Sequence, residues 1–450
     1  MAEQARYWVG IDWAWEEHQV CVIDATGAVI EERKVDHSGE GLAGLADWLL
    51  KLADGNPEHI VVAIERPDSA VVETLLERKI VVCAINPKQL DRFRDRHSVS
   101  GAKGDVLDAF VLADSLRTDR ALYRAIQPDD AEILQLREAS RMMDELNESF
   151  GAVANRLREQ LNRFYPQMLR LNGVDEAWCW DLLEIAPTPR DACKLRGPRV
   201  AAVLKKHRIR RINATEVIST LATAPLIVAA GVTEAAVMHV ASLIRQLRCA
   251  RAEILACKKE IERLVEGLRT PVKSQPVPEA SGEEPPLGQR SEHRDAAIIL
   301  SLPGVGMKVV AALLGEASRH LTNRDYQGIR LRSGVAPVTK QTGKQRQRGS
   351  RKKRPGTNAP PPKVEMRRAC NHTLRNALYH MASTASNCDP RWHALYTDAR
   401  GRGVTHGGAT RIVADRMLAT LITMLRTGTL YDPTRYGRVQ PVPEVTKKAA

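Results

Sequence analysis

The sequence predicts an α/β domain built on a mixed sheet, followed by α-helical regions. Three observations predict it. Residues 7–34 hold three short β-branched runs separated by turn residues. Helical and strand patterns then alternate as far as residue 125. Beyond that point, two long stretches place apolar residues at i, i+3, i+4 and i+7 over several turns.

Taken in order, "YWVGIDW", "HQVCVID" and "AVIEERKV" read as strands of an antiparallel meander. A helix is expected over 40–53, a buried strand over 59–65, a helix near 68–78 and a strand over 80–86. An amphipathic helix starts at "KGDVLDAFVLADSLR". This first domain is expected to span 1–125. Residues 130–165 and 234–268 read as long charged helices within a helical region over 126–270. They suit an antiparallel coiled-coil arm or a dimer seam, with ordinary bundle packing as the alternative. Proline-dense residues 271–295 read as a linker. A C-terminal domain is expected over 296–432, and a polar, disordered tail over 433–450.

With 43% apolar and 27% charged residues the chain has a soluble globular composition. Its formal net charge of +13 favours a polyanionic partner such as nucleic acid. Aromatic residues make up only 4%, which argues against base stacking as the main binding mode. The eight cysteines lack CxxC spacing. Cys370, His372 and Cys388 make a poor zinc pattern, so core thiols in a reducing compartment are expected. No signal peptide or bilayer-length apolar run is visible, and a cytoplasmic protein without membrane contact is expected.

The first strand is apolar until it ends on Asp12. Placing an acid there is costly unless it caps a turn or binds a cation. Glu65 ends "VVAIE" as Asp12 ends "VGID", so the two acids can share one sheet edge. Asp105 and Asp108 lie three residues apart and share a helix face. Four convergent carboxylates call for cations. Two Mg²⁺ ions roughly 3.5–4 Å apart would neutralise them and clamp a phosphodiester. Each acid taken singly also has a plain structural reading. Asp105, for example, suits a helix N-cap, and Asp108 suits the positive end of the helix dipole.

Farther along, "LSLPGVGMKVVAALLGEA" resembles a helix-hairpin-helix. Backbone N–H groups at Gly304 and Gly306, with Lys308 beside them, suit a DNA phosphate. A tight turn between core helices is the alternative. From Lys340 to Arg354 there are eight Lys/Arg and no acid, which suits a nucleic-acid backbone at Lys340, Lys344, Arg346 and Arg348. Three helices are expected downstream.

"GIDWAWEEHQVCVIDATG", "VVAIERP" and "AKGDVLDAFVLADSLR" resemble the N-terminal domain of DEDD insertion-sequence transposases. "SGVAPVTKQTGK", "RRACNHTLRNALYHMA" and "VADRMLATLITMLRTGTLYD" resemble the C-terminal part of the same family. The resemblance covers about 1–125 and 296–432. It implies a ribonuclease-H-like, Holliday-junction-resolvase-like fold whose four catalytic acids are Asp12, Glu65, Asp105 and Asp108. It also implies Mg²⁺, DNA as substrate, a guide RNA from the mobile element, and a composite site in a homodimer or homotetramer. The family's nucleophilic Ser position is Thr342 here, which keeps the hydroxyl but adds a methyl group. Ser333 is a nearby substitute. Gly104 replaces a commonly occurring Thr, and residues 345–363 look like a basic, proline-containing insertion. The function implied is RNA-guided strand cleavage and exchange by a site-specific recombinase. The alternatives are a junction endonuclease using water and a nucleic-acid-binding remnant without activity. A sugar-kinase-like ATPase would need Gly-Thr phosphate loops after the first strand, and "WAWEEH" offers none.

Overall fold

A computed structural model describes residues 5–97, 104–127, 129–269, 292–340 and 363–434. The chain divides into two compact units at residues 129 and 130.

The first unit is built on β1 (Tyr7–Asp12), β2 (Glu17–Ile23) and β3 (Val29–Asp36), followed by α1 (Gly39–Leu52), β4 (Ile60–Ile64), α2 (Ala70–Glu77) and β5 (Val81–Ala84). Helices α3 (Pro87–His97) and α4 (Asp105–Thr118) and the short β6 (Arg124–Ala125) complete it. The sheet order is β3-β2-β1-β4-β5-β6. The first three strands are antiparallel, β4 and β5 run parallel to β1, and β6 is antiparallel to β5. This is the mixed α/β sheet expected from the sequence.

Local chemistry sets the turns. Asp24 Oδ1 accepts the backbone N–H groups of Thr26 and Ala28, and Gly27 takes a φ of 90°. Ser38 caps α1 by accepting the Gly41 N–H at 3.0 Å.

Strand alternation sorts the two faces of the sheet. Val9, Ile11, Val20 and Val22 pack with residues of α1 and α2. Cys21 and Ile23 pack on the opposite face with Ala109 and Ala113 of α4. Gly10 and Asp12 have the other parity from Val9 and Ile11, so they fall on the α4 face. Gly10 is where α4 crosses β1: a Cβ there would lie 1.9 Å from the Ala109 carbonyl oxygen and 2.6 Å from the Ala113 nitrogen. The missing side chain lets the helix backbone lie directly on the strand.

The second unit starts with α5 (Ala131–Phe164). Four short helices follow: α6 (Ala177–Ile185), α7 (Pro189–Ala192), α8 (Gly197–Lys206) and α9 (Ala214–Leu221). The chain returns along α10 (Val232–Arg269). Next come α11 (Glu292–Leu300), α12 (Met307–Thr322), α13 (Tyr326–Arg332), β7 (Pro337–Lys340), β8 (Lys363–Met366), α14 (His372–Cys388), α15 (Pro390–Gly401) and α16 (His406–Thr427).

Helices α5 and α10 pair antiparallel, each with one core at either end. Val153, Leu157 and Leu161 of α5 meet Val240, Leu243 and Leu247 of α10 around Trp178 and Trp180. At the other end Ile133, Leu136 and Met143 meet Ile261 and Val265, and helices α11 to α16 join that same core. Cys257 Sγ donates to the Ala139 carbonyl there at 3.3 Å. The long helices and the C-terminal helices are therefore built on continuous hydrophobic packing. The cap of short helices between α5 and α10 was not expected as separate elements, because runs this short give no readable periodicity.

The proline-rich stretch and the tail from residue 435 lie outside the described residues. Among the described residues no helix is long and apolar enough to cross a membrane.

Candidate active site

Strand register brings the first two acids together. The parallel pairing of β1 and β4 sets Ile11 beside Ile64, and the next residues are Asp12 and Glu65. Both have the parity of the α4 face, since Ala63 packs there with Val111 and Leu112. Asp105 and Asp108 occupy the first turn of α4, and Gly104 is its N-cap residue. The close crossing at Gly10 fixes that turn near the end of β1.

Electrostatics reports the convergence. Burial pushes the Asp12 carboxyl up to about 6 from an ordinary 3.8, and Asp108, Asp105 and Glu65 push it the same way. The Arg94 guanidinium opposes them. The other three acids thus bear on Asp12 at one end of the sheet. Arg94 comes from α3, a residue that sequence reasoning missed. Its Nε and Nη2 donate to the two carboxylate oxygens of Asp108 at 2.6 and 2.8 Å, and Nη1 donates to Asp91 at 2.7 Å. With its side chain only 11% exposed, Arg94 supplies a resident positive charge to the cluster. No helix is expected over 87–97 from the sequence, so Arg94 carries no signal there beyond its charge in a basic run.

An all-oxygen carboxylate set with unbalanced negative charge is the donor chemistry of a hard divalent cation. Among the described residues, however, no group of three or more His, Cys, Asp or Glu stands arranged to hold a metal ion. In this arrangement both carboxylate oxygens of Asp108 are engaged by Arg94.

The C-terminal residues separate into three groups. Thr342, Lys344, Arg346 and Arg348 lie outside the described residues, as does most of the insertion at 345–363. Backbone pairing of β7 with β8 sets Lys340 opposite Lys363, so the chain leaves and returns at one place. Ser333 is corrected as a substitute nucleophile: it is fully buried, and its hydroxyl sits between the Arg330 carbonyl and the Val335 N–H, each at 3.4 Å. A hydroxyl without solvent access cannot reach a phosphodiester.

The glycine-rich turn between α11 and α12 also divides. Gly304 has a φ of 79°, and a Cβ there would meet Met381 O and Ala385 N of α14 at 2.6 Å. Packing against a core helix, the alternative weighed above, accounts for that glycine. Gly306 is open, with nothing within 4 Å of a built Cβ. Lys308 is exposed but pairs with Asp144 of α5 at 2.7 Å.

Comparison with known proteins identifies the family. Residues 9–166 match a family model of DEDD transposases, and residues 296–359 match the model described as "Transposase IS116/IS110/IS902 family". "Mini-circle putative transposase for IS117" of Streptomyces coelicolor is 30% identical, over 95% of this chain and 95% of its own length. "Putative transposase y4uE" of Sinorhizobium fredii is 45% identical over 48% of this chain and 60% of its own length. On the end-to-end match to the first of these, the chain belongs to the IS116/IS110/IS902 family of insertion-sequence transposases, enzymes of DNA strand transfer.

Proposed function

We propose that this transposase cuts and rejoins DNA by transesterification at Asp12, Glu65, Asp105 and Asp108, with the Thr342 hydroxyl as nucleophile. The observation that carries the reading is geometric: β1 and β4 pair in parallel and end next to Asp12 and Glu65, and α4, which opens on Asp105 and Asp108, crosses β1 at Gly10. The four carboxylates would hold divalent cations, Mg²⁺ among them, with Asp108 exchanging its guanidinium partner for metal. When bound, the metal polarises the phosphodiester and stabilises the oxygen that leaves.

Thr342 Oγ1 gives up its proton to solvent and attacks phosphorus, and the departing DNA oxygen takes up a proton from solvent. One phosphodiester bond breaks, a phosphothreonine ester forms, and a DNA hydroxyl departs. Attack on that ester by a hydroxyl of the partner strand restores Thr342 and a new phosphodiester. Bonds are exchanged one for one, so no external energy source is needed. Thr342 reaches the acids of another subunit in a homodimer or homotetramer. The net charge of +13 serves DNA and a guide RNA from the element, with base pairing supplying sequence choice.

The test uses full-length protein, Mg²⁺, a DNA junction and the element's flanking RNA on denaturing gels. Wild type should leave protein covalently on a DNA end, Thr342→Ser should keep the adduct, and Asp12→Asn and Thr342→Ala should abolish it. Cleavage without an adduct by Thr342→Ala would replace the hydroxyl with water. Unimpaired cleavage by Asp12→Asn would remove the proposal.

A further inference from the structure

The loop between β1 and β2 carries features that the strand-transfer chemistry leaves unused. Trp15 is 78% exposed, the most exposed tryptophan among the large hydrophobic residues that reach solvent, in a chain with only 4% aromatics. Its ring meets Trp13 edge-on at 5.2 Å. Arg66, the residue after Glu65, sets its guanidinium 4.3 Å from the Trp13 ring and 5.9 Å from that of Trp15. Its ion pair with Asp68 is long, at 4.0 Å. The Trp13 indole N–H is buried and has no hydrogen-bond partner.

The loop is also held in place. The Ala14 N–H donates to His18 Nδ1 at 3.3 Å, and His18 is fully buried. With Nδ1 accepting, the proton of neutral His18 sits on Nε2 and is donated to His37 Nδ1 at 2.8 Å. Burial lowers the His18 pKa and favours this neutral form. Trp13 packs beside both imidazoles, at 6.2 and 6.3 Å.

We propose that Trp15 and Arg66 form a stacking platform for an unpaired base of the DNA strand being cut, beside the scissile phosphate. The assignment rests on the strand-cleavage reading above. Trp15 is three residues from Asp12, so it lies within about 11 Å along the chain. That reach covers the first few nucleotides flanking a phosphodiester held at the acids. An exposed indole offers a base its π-face, and a neighbouring guanidinium answers the adjoining phosphate. Such a platform accepts any base and requires it to be unstacked, which suits a strand-exchange junction better than an intact duplex. The low aromatic content is compatible with this, because a single exposed indole suffices beside a mainly electrostatic footprint.

The test is photo-crosslinking of the full-length protein to a forked DNA duplex carrying 5-iodouracil at successive unpaired positions, in EDTA so that no strand is cut. Crosslinks should map to the Trp15 peptide and come from one cluster of positions. Trp15→Ala should weaken binding of the fork by about fivefold to about a hundredfold while leaving duplex binding nearly unchanged, and Trp15→Phe should recover most of the loss. Because Trp15 projects into solvent, these variants remove no core packing. Crosslinks confined to other peptides, or unaltered fork affinity in Trp15→Ala, would overturn the platform. A Trp15 crosslink obtained only with the RNA form of the fork would overturn its assignment to DNA. Asp12→Asn separates the two readings. Its cleavage in Mg²⁺ would sink the strand-cleavage mechanism, whereas the crosslink map judges the platform by itself.

Discussion

Gly10→Ala is the sharpest probe of how the acids are brought together. The added Cβ would lie 1.9 Å from the Ala109 carbonyl oxygen, with the Ala113 nitrogen at 2.6 Å and Leu112 Cβ at 2.8 Å. An ordinary carbon–oxygen contact is about 3.3–3.6 Å, so α4 would have to retreat by more than about 1 Å. The obstacle is helix backbone, which cannot rotate away as a side chain can. Overpacking of this kind costs about 1–3 kcal/mol or more. The retreat also carries Asp105 and Asp108 away from Asp12, and a misplacement of about 1 Å can lower a rate by about a hundredfold. Guanidinium denaturation of Gly10→Ala should show lowered stability, and strand cleavage should fall by about two orders of magnitude in the population that remains folded. A variant with wild-type stability and wild-type cleavage would refute the claim that the crossing at Gly10 sets the geometry of the acids.

Two further predictions concern charge and packing. The Asp12 pKa of about 6 lies above its ordinary 3.8, so the folded state binds the extra proton; this contribution to stability is present below pH 3.8 and is lost as pH rises through 6. Asp12→Asn removes that loss. Metal-free Asp12→Asn should be more stable than wild type at pH 8 by about 1–3 kcal/mol, with the gap closing towards pH 4 in denaturant melts; an equal gap at both pH values would contradict the sign. In the C-terminal turn, Gly304→Ala should destabilise the second unit through its 2.6 Å contacts and positive φ, whereas Gly306→Ala should leave melting unchanged. Equal effects of the two substitutions would argue against packing as the reason for Gly304.

Much of this arrangement is legible in the chain itself. Period-two alternation assigns Gly10 and Asp12 to one face of their strand, and a three-residue spacing places Asp105 and Asp108 on one helical turn. Both are local geometry, and local geometry is what an amino-acid pattern encodes directly. The exposure of Trp15 escaped the pattern, because apolar runs announce burial and a tryptophan between two strands suits either side of the surface.

The sequence by itself determined the first five strands, the helices of the first domain that pack on them near 40–53, 68–78 and after 103, the two long helices, and which acids end strands or open a helix. Tertiary structure alone decided that β1 lies beside β4, that Arg94 grips Asp108, that Ser333 is sealed in the interior, and that Gly304 answers to α14. The physical reason is range. A repeat of 2 or 3.6 residues fixes which side of an element is apolar, but it does not name the distant segment that will cover it. That choice is made by packing between segments that meet only when the chain has folded.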